Sequence, residues 1–333
     1  MKSLLLTGGC GFIGSNYVNY MSEKYPDMKL IVIDKLDYCA SLENIIKRPN
    51  VEIIIGDLAN KELVTYILNK FEVDTIAHIG ASTHVDNSFF NSIEFTHNNV
   101  LGTHILLETV RIYHEKTGKI NKFLYASTDE IYGEILDGVA RVESSIYAPT
   151  NPYAATKLAS ELMCMSYFYS YKIPVVISRG NNAVGVHQYP EKLIPKFICK
   201  LLNNEKLTIQ GQGTSRRNFI HVYDTCTAFE TILLKGQIGE IYNISADHSN
   251  EYSVMNVTKI LIKLFYPDVN VENPEELNKY IESVEDRKFN DTRYFICSKK
   301  LEKLGWIPVK TNFIENLKEL ITWYKENKSR YGF

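Results

Sequence analysis

The chain has 333 residues, of which 45% are hydrophobic and 23% charged, and its formal net charge is -2. This composition predicts a globular protein with one large or two ordinary packed domains. The balanced charge, without a long run of one sign, argues against a nucleic acid or an anionic membrane as partner. It favours a small molecule instead.

The six cysteines are scattered, and no two of them are spaced as Cys-x-x-Cys. The sequence therefore predicts reduced thiols, no disulfide framework and no metal centre. Strand-like residues begin at Ser3, and no apolar run approaches the length of a membrane span. We accordingly expect a cytoplasmic protein without a membrane partner.

Short apolar runs alternate with longer helical segments through the first half of the chain. The runs that predict strands lie at residues 4–6, 30–33, 51–55, 75–79, 123–126 and 175–178. Continuous apolar runs of this length are typical of parallel strands that are buried on both faces. The alternation predicts the α/β class, with a doubly wound parallel sheet in a domain of residues 1–180 and ligands at the carboxyl ends of its strands.

The sequence changes character after residue 180, where prolines and a Gly-Gln-Gly loop at 211–213 interrupt shorter elements. Residues 181–333 are expected to form mainly a smaller, mixed α/β domain that binds the substrate. The segments 219–222 and 240–244 are apolar enough to return to the first sheet. We therefore expect interleaved domains, with returning segments near 218–245.

A glycine-rich loop, Thr7-Gly8-Gly9-Cys10-Gly11-Phe12-Ile13-Gly14, follows the first predicted strand and opens a helix. This context is typical of dinucleotide binding. Gly8 permits a tight turn, Gly11 lets the backbone approach a pyrophosphate, and Gly14 lets helix and strand pack closely. Asp34 ends the second strand, where its carboxylate can bind an adenosine ribose and repel a 2′-phosphate. We predict NAD as the cofactor, while neighbouring Lys35 leaves room for NADP.

The segment Asn151-Pro152-Tyr153 predicts the start of a helix, with an N-cap followed by proline in the first turn. Tyr153 and Lys157 then lie one turn apart on one face. A tyrosine phenol ordinarily titrates near pH ~10, and a nearby ammonium or the positive charge of NAD⁺ favours its ionised form. The pair is predicted to supply a base and to hold the nicotinamide ribose.

The glycine loop and the Tyr-x-x-x-Lys pair resemble those of the extended short-chain dehydrogenase/reductase superfamily. The segment Ser127-Thr128-Asp129-Glu130-Ile131-Tyr132-Gly133 is similar to the active-site strand end of nucleotide-sugar 4,6-dehydratases. Segments 84–88, 179–182, 190–195 and 286–294 extend the resemblance over nearly the whole chain. The resemblance implies a Rossmann fold, bound NAD and a nucleotide-sugar substrate.

Residues 34–42 and the segment Phe289-Asn290-Asp291 look more like eukaryotic-type members, which include the UDP-glucose 4,6-dehydratase half of plant rhamnose synthases. Bacterial dTDP-glucose enzymes usually carry Gly-His in place of Phe289-Asn290. The resemblance thus implies conversion of UDP-glucose to UDP-4-keto-6-deoxyglucose, in deoxy-sugar biosynthesis of the rhamnose type.

Three alternatives to this function stay open. The first is dTDP-glucose as substrate, because uracil and thymine differ by one methyl group, worth about 1 to 3 kcal/mol of discrimination. The others are a nucleotide-sugar 4-epimerase, a class that generally lacks the Asp129-Glu130 pair, and a non-catalytic NAD-binding module on the same fold.

The chemistry of a 4,6-dehydration fixes the order of its steps, since the C5 proton of the hexose is acidic only after C4 is oxidised. Tyr153 is expected to take the C4 hydroxyl proton, while Thr128 forms a hydrogen bond with the same oxygen. Glu130 would then remove the C5 proton, and protonated Asp129 would donate to the departing C6 hydroxyl. The candidate catalytic residues are Thr128, Asp129, Glu130, Tyr153 and Lys157.

The remaining candidate residues bind the two ligands. The cofactor set is Gly8, Gly11, Phe12, Ile13, Gly14, Asp34, Lys35, Asp57, Leu58, Tyr153 and Lys157. The substrate set implied by the resemblance is Thr83, Thr128, Asn182, Lys192, Leu193, Arg217 and Arg287. The two arginines are expected to clamp the diphosphate, because a guanidinium binds phosphate oxygens in a fork. The segment Ala183-Val184-Gly185-Val186 departs from the family pattern by lacking an aromatic residue and a proline.

The helix after Tyr153 carries more apolar surface than one core face requires. One stripe holds Leu158, Leu162, Met165 and Tyr169, and another holds Met163 and Tyr167. The resemblance implies a homodimer in which this helix and one around residues 99–115 form a four-helix bundle. The alternative is that elements of the same chain cover both stripes.

Overall fold

A computed structural model describes residues 1–246, 248–285 and 289–331. A seven-stranded sheet lies at its centre, and every neighbouring pair of strands in it is parallel. From edge to edge its strands are β10 (Ile241–Ile244), β6 (Val175–Gly180), β5 (Lys122–Thr128), β4 (Thr75–His78), β1 (Ser3–Thr7), β2 (Lys29–Asp34) and β3 (Val51–Ile55). The predicted doubly wound α/β fold is confirmed.

Consecutive residues of the central strands face opposite sides of the sheet. Leu4 and Leu6 belong to one hydrophobic core, whereas Leu5 and Ile31 belong to the core on the other face. Because side chains alternate along a strand, a sheet with helices on both faces needs apolar residues at every position. This requirement explains the continuous apolar runs in the sequence.

Helices cover both faces of the central sheet. Helices α1 (Phe12–Lys24) and α8 (Val222–Lys235) pack in the core that contains Leu4. Three other helices pack in the core that contains Leu5: α2 (Lys61–Lys70), α5 (Gly102–Thr117) and α6 (Pro152–Tyr171). The shorter α3 (Val85–Phe90) and α4 (Ser92–Phe95) and a π-helical segment, Thr96–Leu101, precede α5.

The remaining strands form two small sheets in the second half of the chain. One contains β7 (Asn182–Val184), β9 (Arg216–His221) and β11 (Glu251–Ser253), and the other contains β8 (Leu207–Gln210) and β12 (Ile281–Val284). They pack with a third core that includes residues of α7 (Leu193–Leu202), α9 (Val254–Phe265) and α12 (Phe313–Glu326). Two short helices, α10 (Pro274–Leu277) and α11 (Lys299–Glu302), complete this half.

One of the two segments expected to return to the first sheet does so. Strand β10 pairs with β6 in that sheet, but the expectation for residues 219–222 is wrong, because β9 pairs with β7 and β11. The apolar run of β9 arises because it lies between two cores: Phe219 packs in the third core and Ile220 in the first. The proposed boundary at residue 180 stays a prediction.

All six cysteines are free thiols, four of them buried. In the described part of the chain, none of the helices combines the length and the apolar character needed to cross a bilayer.

Candidate active site

A cavity of about 570 Å³ lies at the carboxyl ends of β4, β5 and β6, where parallel α/β sheets bind their ligands. Its walls come from both halves of the chain. The predicted residues that line it are Phe12, Ile13, Thr83, Thr128, Asp129, Glu130, Tyr153, Lys157, Asn182, Lys192, Leu193 and Arg217. Arg287 lies outside the described residues.

The glycine loop has the close packing that its sequence predicts. Gly8 has a φ of +67°, and a Cβ atom there would lie 2.4 Å from Cα of Gly80. A Cβ atom on Gly14 would lie 2.1 Å from the carbonyl oxygen of Gly8. At Gly11, by contrast, the nearest atom would be that same oxygen at 3.4 Å, so this position stays open on its outer side. A backbone cradle of this form fits a pyrophosphate at the N-terminus of α1.

Asp34 stands at the end of β2 beside the glycine loop. Its carboxylate accepts hydrogen bonds from the backbone N–H groups of Cys10, at 2.9 Å, and Leu36, at 2.8 Å. The ammonium of Lys35 pairs with Asp37 at 3.4 Å. The fixed carboxylate fits an adenosine ribose without a 2′-phosphate, which favours NAD over NADP.

Asp57 and Leu58 follow β3, the next strand of the sheet. The carboxylate of Asp57 accepts a hydrogen bond from the N–H of Ala59 at 2.8 Å, and Leu58 packs against the second core. Neither of them is among the described residues that line the cavity. Their role in cofactor binding stays a prediction.

Asp129 begins a short 3₁₀ turn, Asp129–Tyr132, directly after β5. Its side chain is buried, and Nδ2 of Asn181 donates a hydrogen bond of 2.7 Å to its Oδ2 atom. Burial, reinforced by the neighbouring Glu130 carboxylate, raises the pKa of Asp129 to about 7. A carboxyl group in this range is partly protonated near neutral pH and can donate a proton.

Glu130 is also buried, and two side-chain donors reach it. Nδ2 of Asn151 donates to its Oε2 atom at 3.0 Å, and the hydroxyl of Tyr294 lies 3.3 Å from the same atom. Burial raises the pKa of Glu130, whereas Asn151 and the positive charges of Arg217 and Lys192 oppose that rise. Adjacent carboxyl groups in these two environments can divide the roles of acid and base.

Tyr153 lies in the first turn of α6, whose N-cap is Asn151 as predicted. Burial raises the pKa of its phenol well above the ordinary value, and the charge of Glu130 adds to this effect. A hydrogen bond from Thr128 opposes the rise. The raised pKa favours the neutral phenol, whereas a positive charge in the cavity would favour the ionised form that acts as a base.

Lys157 contacts β5. Its ammonium donates a hydrogen bond of 2.6 Å to the carbonyl oxygen of Ala126 and lies 4.5 Å from the ring centre of Tyr125. Burial lowers the pKa of Lys157 to about 8, so the side chain still carries a charge near neutral pH. These contacts offset part of the cost of burying the cation.

Arg217 approaches the cavity from β9. Its Nη1 atom donates to the carbonyl oxygens of Arg216 and Asp291 at 2.8 and 2.9 Å. Its guanidinium also lies over the ring of Tyr294, 4.5 Å from the ring centre. A guanidinium fixed by carbonyl oxygens and an aromatic face is suited to bind a phosphate.

The family described as GDP-mannose 4,6 dehydratase matches residues 5–320. The chain belongs to this family. Seven curated relatives, 40 to 45% identical to this chain, carry the names of nucleotide-sugar 4,6-dehydratases, which are enzymes. The predicted resemblance is confirmed.

Two curated relatives and one solved structure show how far the likeness extends. The trifunctional UDP-glucose 4,6-dehydratase, 3,5-epimerase and reductase of Arabidopsis thaliana is 45% identical over 336 residues, which cover 99% of this chain and 48% of that protein. The dTDP-D-glucose 4,6-dehydratase of Homo sapiens is 45% identical over 329 residues, covering 98% and 91%. The dTDP-glucose 4,6-dehydratase DesIV of Streptomyces venezuelae, solved with NAD bound, superposes with a TM-score of 0.90 at 34% identity and 99% coverage of both chains.

The chain spans about half the length of the plant relatives that it matches. A relative named as a UDP-glucose enzyme and a relative named as a dTDP-glucose enzyme are equally similar to this chain, both at 45% identity.

Sequence reasoning missed several residues that hold the family's acid and base motif. Asn181 contacts Asp129, Asn151 contacts Glu130, and Tyr294 with Asp291 lies behind Glu130. The sequence predicts Asn151 only as a helix cap. In the structure its Oδ1 atom caps α6, and its Nδ2 atom also donates a hydrogen bond to Glu130. The segment that lacks the family's aromatic residue is fixed by the pairing of β7 with β9, and Val184 is buried in the third core.

Proposed function

We propose that the chain is an NAD-dependent nucleotide-sugar 4,6-dehydratase whose substrate is UDP-glucose and whose product is UDP-4-keto-6-deoxyglucose. The observation that carries this proposal is the buried pair of Asp129 and Glu130 beside Tyr153 in one cavity. A 4-epimerase needs an acid and base only at C4, whereas elimination across C5 and C6 needs two further groups. The complete set also argues against a non-catalytic binding module.

The residues present fit NAD. The open backbone at Gly11, the carboxylate of Asp34 and the buried Lys157 would hold its pyrophosphate, adenosine ribose and nicotinamide ribose respectively. When bound, NAD⁺ supplies the acceptor for the C4 hydride, the donor that returns it to C6 and a positive charge in the cavity.

The residues of the cavity then carry the proton transfers. Tyr153 takes the C4 hydroxyl proton, and Thr128 forms a hydrogen bond with the same oxygen. With C4 oxidised, Glu130 removes the acidified C5 proton. Protonated Asp129 donates to the C6 hydroxyl, which departs as water, and Glu130 returns a proton to C5. The sugar loses one water. C4 ends as a ketone and C6 as a methyl group, so the reaction consumes no external oxidant or reductant.

The choice of UDP-glucose is supported by the wall of the cavity that Phe289 and Asn290 form. Bacterial dTDP-glucose enzymes usually carry Gly-His there. The plant relatives named for UDP-glucose are 44 to 45% identical to this chain. The chemistry of the product places the enzyme before reactions that use a 4-keto-6-deoxy sugar, such as those of rhamnose-type biosynthesis.

We further propose a homodimer that pairs α5 and α6 with those of a second copy. Leu162 and Tyr169, seven residues apart on α6, are exposed, and Leu101 before α5 is exposed too. Met163 and Tyr167 of the second predicted stripe pack within their own chain. Leu158 and Met165 of the first stripe also pack against cores of their own chain, so Leu162 and Tyr169 are its exposed residues. The proposal predicts a dimeric mass by light scattering and a monomeric mass for Leu162→Glu/Tyr169→Glu.

The proposed function is tested by incubating the purified protein separately with UDP-glucose and dTDP-glucose and measuring product mass. Loss of one water from UDP-glucose at the higher rate is the expected result. Loss from dTDP-glucose alone would reverse the substrate assignment. Loss from neither, with NAD bound, would reject the dehydratase.

A further inference from the structure

The hydroxyl of Tyr294 lies between two carboxyl groups. It donates a short hydrogen bond to Oδ2 of Asp291, and it lies 3.3 Å from Oε2 of Glu130. All three side chains are buried. Because a phenol has one proton, this hydroxyl cannot serve both carboxylates fully at once.

Asp291 is held in an unusual way for a buried carboxylate. Its Oδ2 atom accepts from Tyr294 and also from the hydroxyl of Thr150, at 2.6 Å. Its Oδ1 atom is buried and has no hydrogen-bond partner within the described part of the chain, although Asp291 lines the cavity. The two hydroxyl donors fix the Asp291 carboxylate beside the site.

The same segment connects Glu130 with the predicted phosphate clamp. The carbonyl oxygen of Asp291 accepts from Arg217, whose guanidinium lies over the ring of Tyr294. Tyr294 therefore contacts the base on one side and the arginine on the other. Residues that fix both neighbours of a reacting sugar can control its placement to a fraction of an ångström.

We propose that Tyr294 and Asp291 are positioning residues for Glu130: Tyr294 holds its Oε2 atom in the orientation that reaches C5, and Asp291 orients Tyr294 and strengthens Glu130 as a base. This inference rests on the proposed function. It deepens the proposal by assigning two residues to the C5 step alone.

The charges around Glu130 support the second part of this role. Burial raises the pKa of Glu130, and the negative charge of Asp291 adds to the rise. Asn151, Arg217 and Lys192 act in the opposite direction. Asp129, Tyr153 and Tyr294 also face Glu130 and interact with its charge. Asp291 is thus a carboxylate outside the catalytic pair that favours proton uptake by Glu130.

The test uses holoenzymes of Tyr294→Phe and Asp291→Asn with whichever sugar nucleotide the wild type dehydrates, with hydrogen or deuterium at C5. Both variants are expected to lose about tenfold or more in kcat, because a hydrogen bond to a charged group is lost or weakened. The C5 deuterium isotope effect should increase, since C5 proton removal becomes slower. The absorbance change that reports C4 oxidation should keep its wild-type rate.

The pH dependence of kcat separates the two residues. In Asp291→Asn the acidic limb should move to lower pH, because a negative charge beside Glu130 is gone and the pKa of Glu130 falls. In Tyr294→Phe the limb should move to higher pH, because the ionised carboxylate loses a donor. A residue with only a structural role would move neither limb.

Tyr20→Phe is the matched control. It removes a phenol that donates a hydrogen bond of 2.5 Å to a different carboxylate, at Oε2 of Glu230, and neither residue is among the described residues that line the cavity. Its isotope effect and acidic limb should match the wild type. If Asp291→Asn does not fold, Thr150→Val removes the second donor to Asp291 and should also increase the isotope effect.

Equal losses of C4 oxidation and dehydration, with an unchanged isotope effect and unchanged acidic limbs, would overturn the positioning role. A wild-type protein that dehydrates neither sugar nucleotide would instead overturn the proposed function. The two failures are therefore distinguishable.

Discussion

The Nδ2 group of Asn181 donates a hydrogen bond of 2.7 Å to Oδ2 of Asp129, and this contact joins the ends of β5 and β6. A donor to a carboxylate stabilises its ionised form. It therefore keeps the pKa of Asp129 below the value that burial and Glu130 alone would give, and the result is about 7. The contact thus keeps the proposed acid partly protonated near neutral pH and able to release its proton.

Substitution Asn181→Ala should move the basic limb of kcat to higher pH. Loss of the donor raises the pKa of Asp129, so the acid stays protonated further into the alkaline range. A hydrogen bond to a charged group predicts a displacement of about one pH unit. Asn243→Ala removes another buried asparagine, whose Oδ1 atom accepts a hydrogen bond from Tyr132, and should cost stability without moving the limb. An unchanged limb in Asn181→Ala would contradict the acid role of Asp129.

Substitution Asp129→Asn should lower dehydration by about 100-fold or more, the usual effect of removing a general acid. NAD content and the C4 oxidation signal should remain, because the change leaves Tyr153 and Lys157 in place. Asp224→Asn is a suitable comparison, since Asp224 is equally buried and accepts backbone hydrogen bonds from Val309 and Lys310, both at 2.9 Å. It should lower the unfolding temperature without the same loss of kcat. Wild-type turnover in Asp129→Asn would exclude it as the acid.

Two glycine substitutions should separate folding from cofactor binding. Gly11→Ala places a Cβ atom in ordinary contact, 3.4 Å from the Gly8 oxygen, so the fold should tolerate it while the methyl group obstructs a pyrophosphate. Gly14→Ala places a Cβ atom 2.1 Å from that oxygen and should disrupt the packing of α1 on β1. We expect NAD to be lost in both variants but the unfolding temperature to fall markedly only in Gly14→Ala. Full NAD content in Gly11→Ala would contradict the assigned pyrophosphate site.

Short segments of the sequence predicted those parts of the fold that depend on residues close together in the chain. The strands of the central sheet are continuous apolar runs, and Asn151-Pro152 specifies the start of α6 by capping. Asp291 and Tyr294 could not be connected with Glu130 in the same way, because the contact joins residues 164 positions apart and depends on how the two halves pack. The error at β9 has a similar cause, since its apolar residues serve two cores instead of two faces of one sheet.

A buried ion pair behind the site should be costly to break. Nη2 of Arg179 on β6 lies 2.5 Å from Oε1 of Glu161 on α6, and both side chains are almost fully buried. Glu161→Gln should lower the free energy of unfolding by about 3 to 5 kcal/mol, because it leaves a buried guanidinium without its counter-charge. The double variant Arg179→Met/Glu161→Leu should cost less than the sum of its single changes. Glu319→Gln, which breaks the surface pair with Lys310, should cost no more than about 1 kcal/mol. Additive losses in a urea-unfolding cycle would argue against coupling within the buried pair.

His78 should make the protein sensitive to acid. Its ring is buried between the hydroxyls of Thr7, 2.7 Å from Nδ1, and Thr103, 2.8 Å from Nε2. Burial lowers the pKa of His78 from 6.5 to about 3, so between these values the unfolded chain binds a proton that the folded chain does not. Stability contributed by the neutral ring is therefore present above pH 6.5 and is lost as the pH falls, at up to about 1.4 kcal/mol per pH unit. In His78→Gln, the slope of unfolding free energy between pH 5.5 and 4 should decrease by about this amount. Urea unfolding across this range measures the slope, and an unaltered slope would show that His78 is charged in the folded protein.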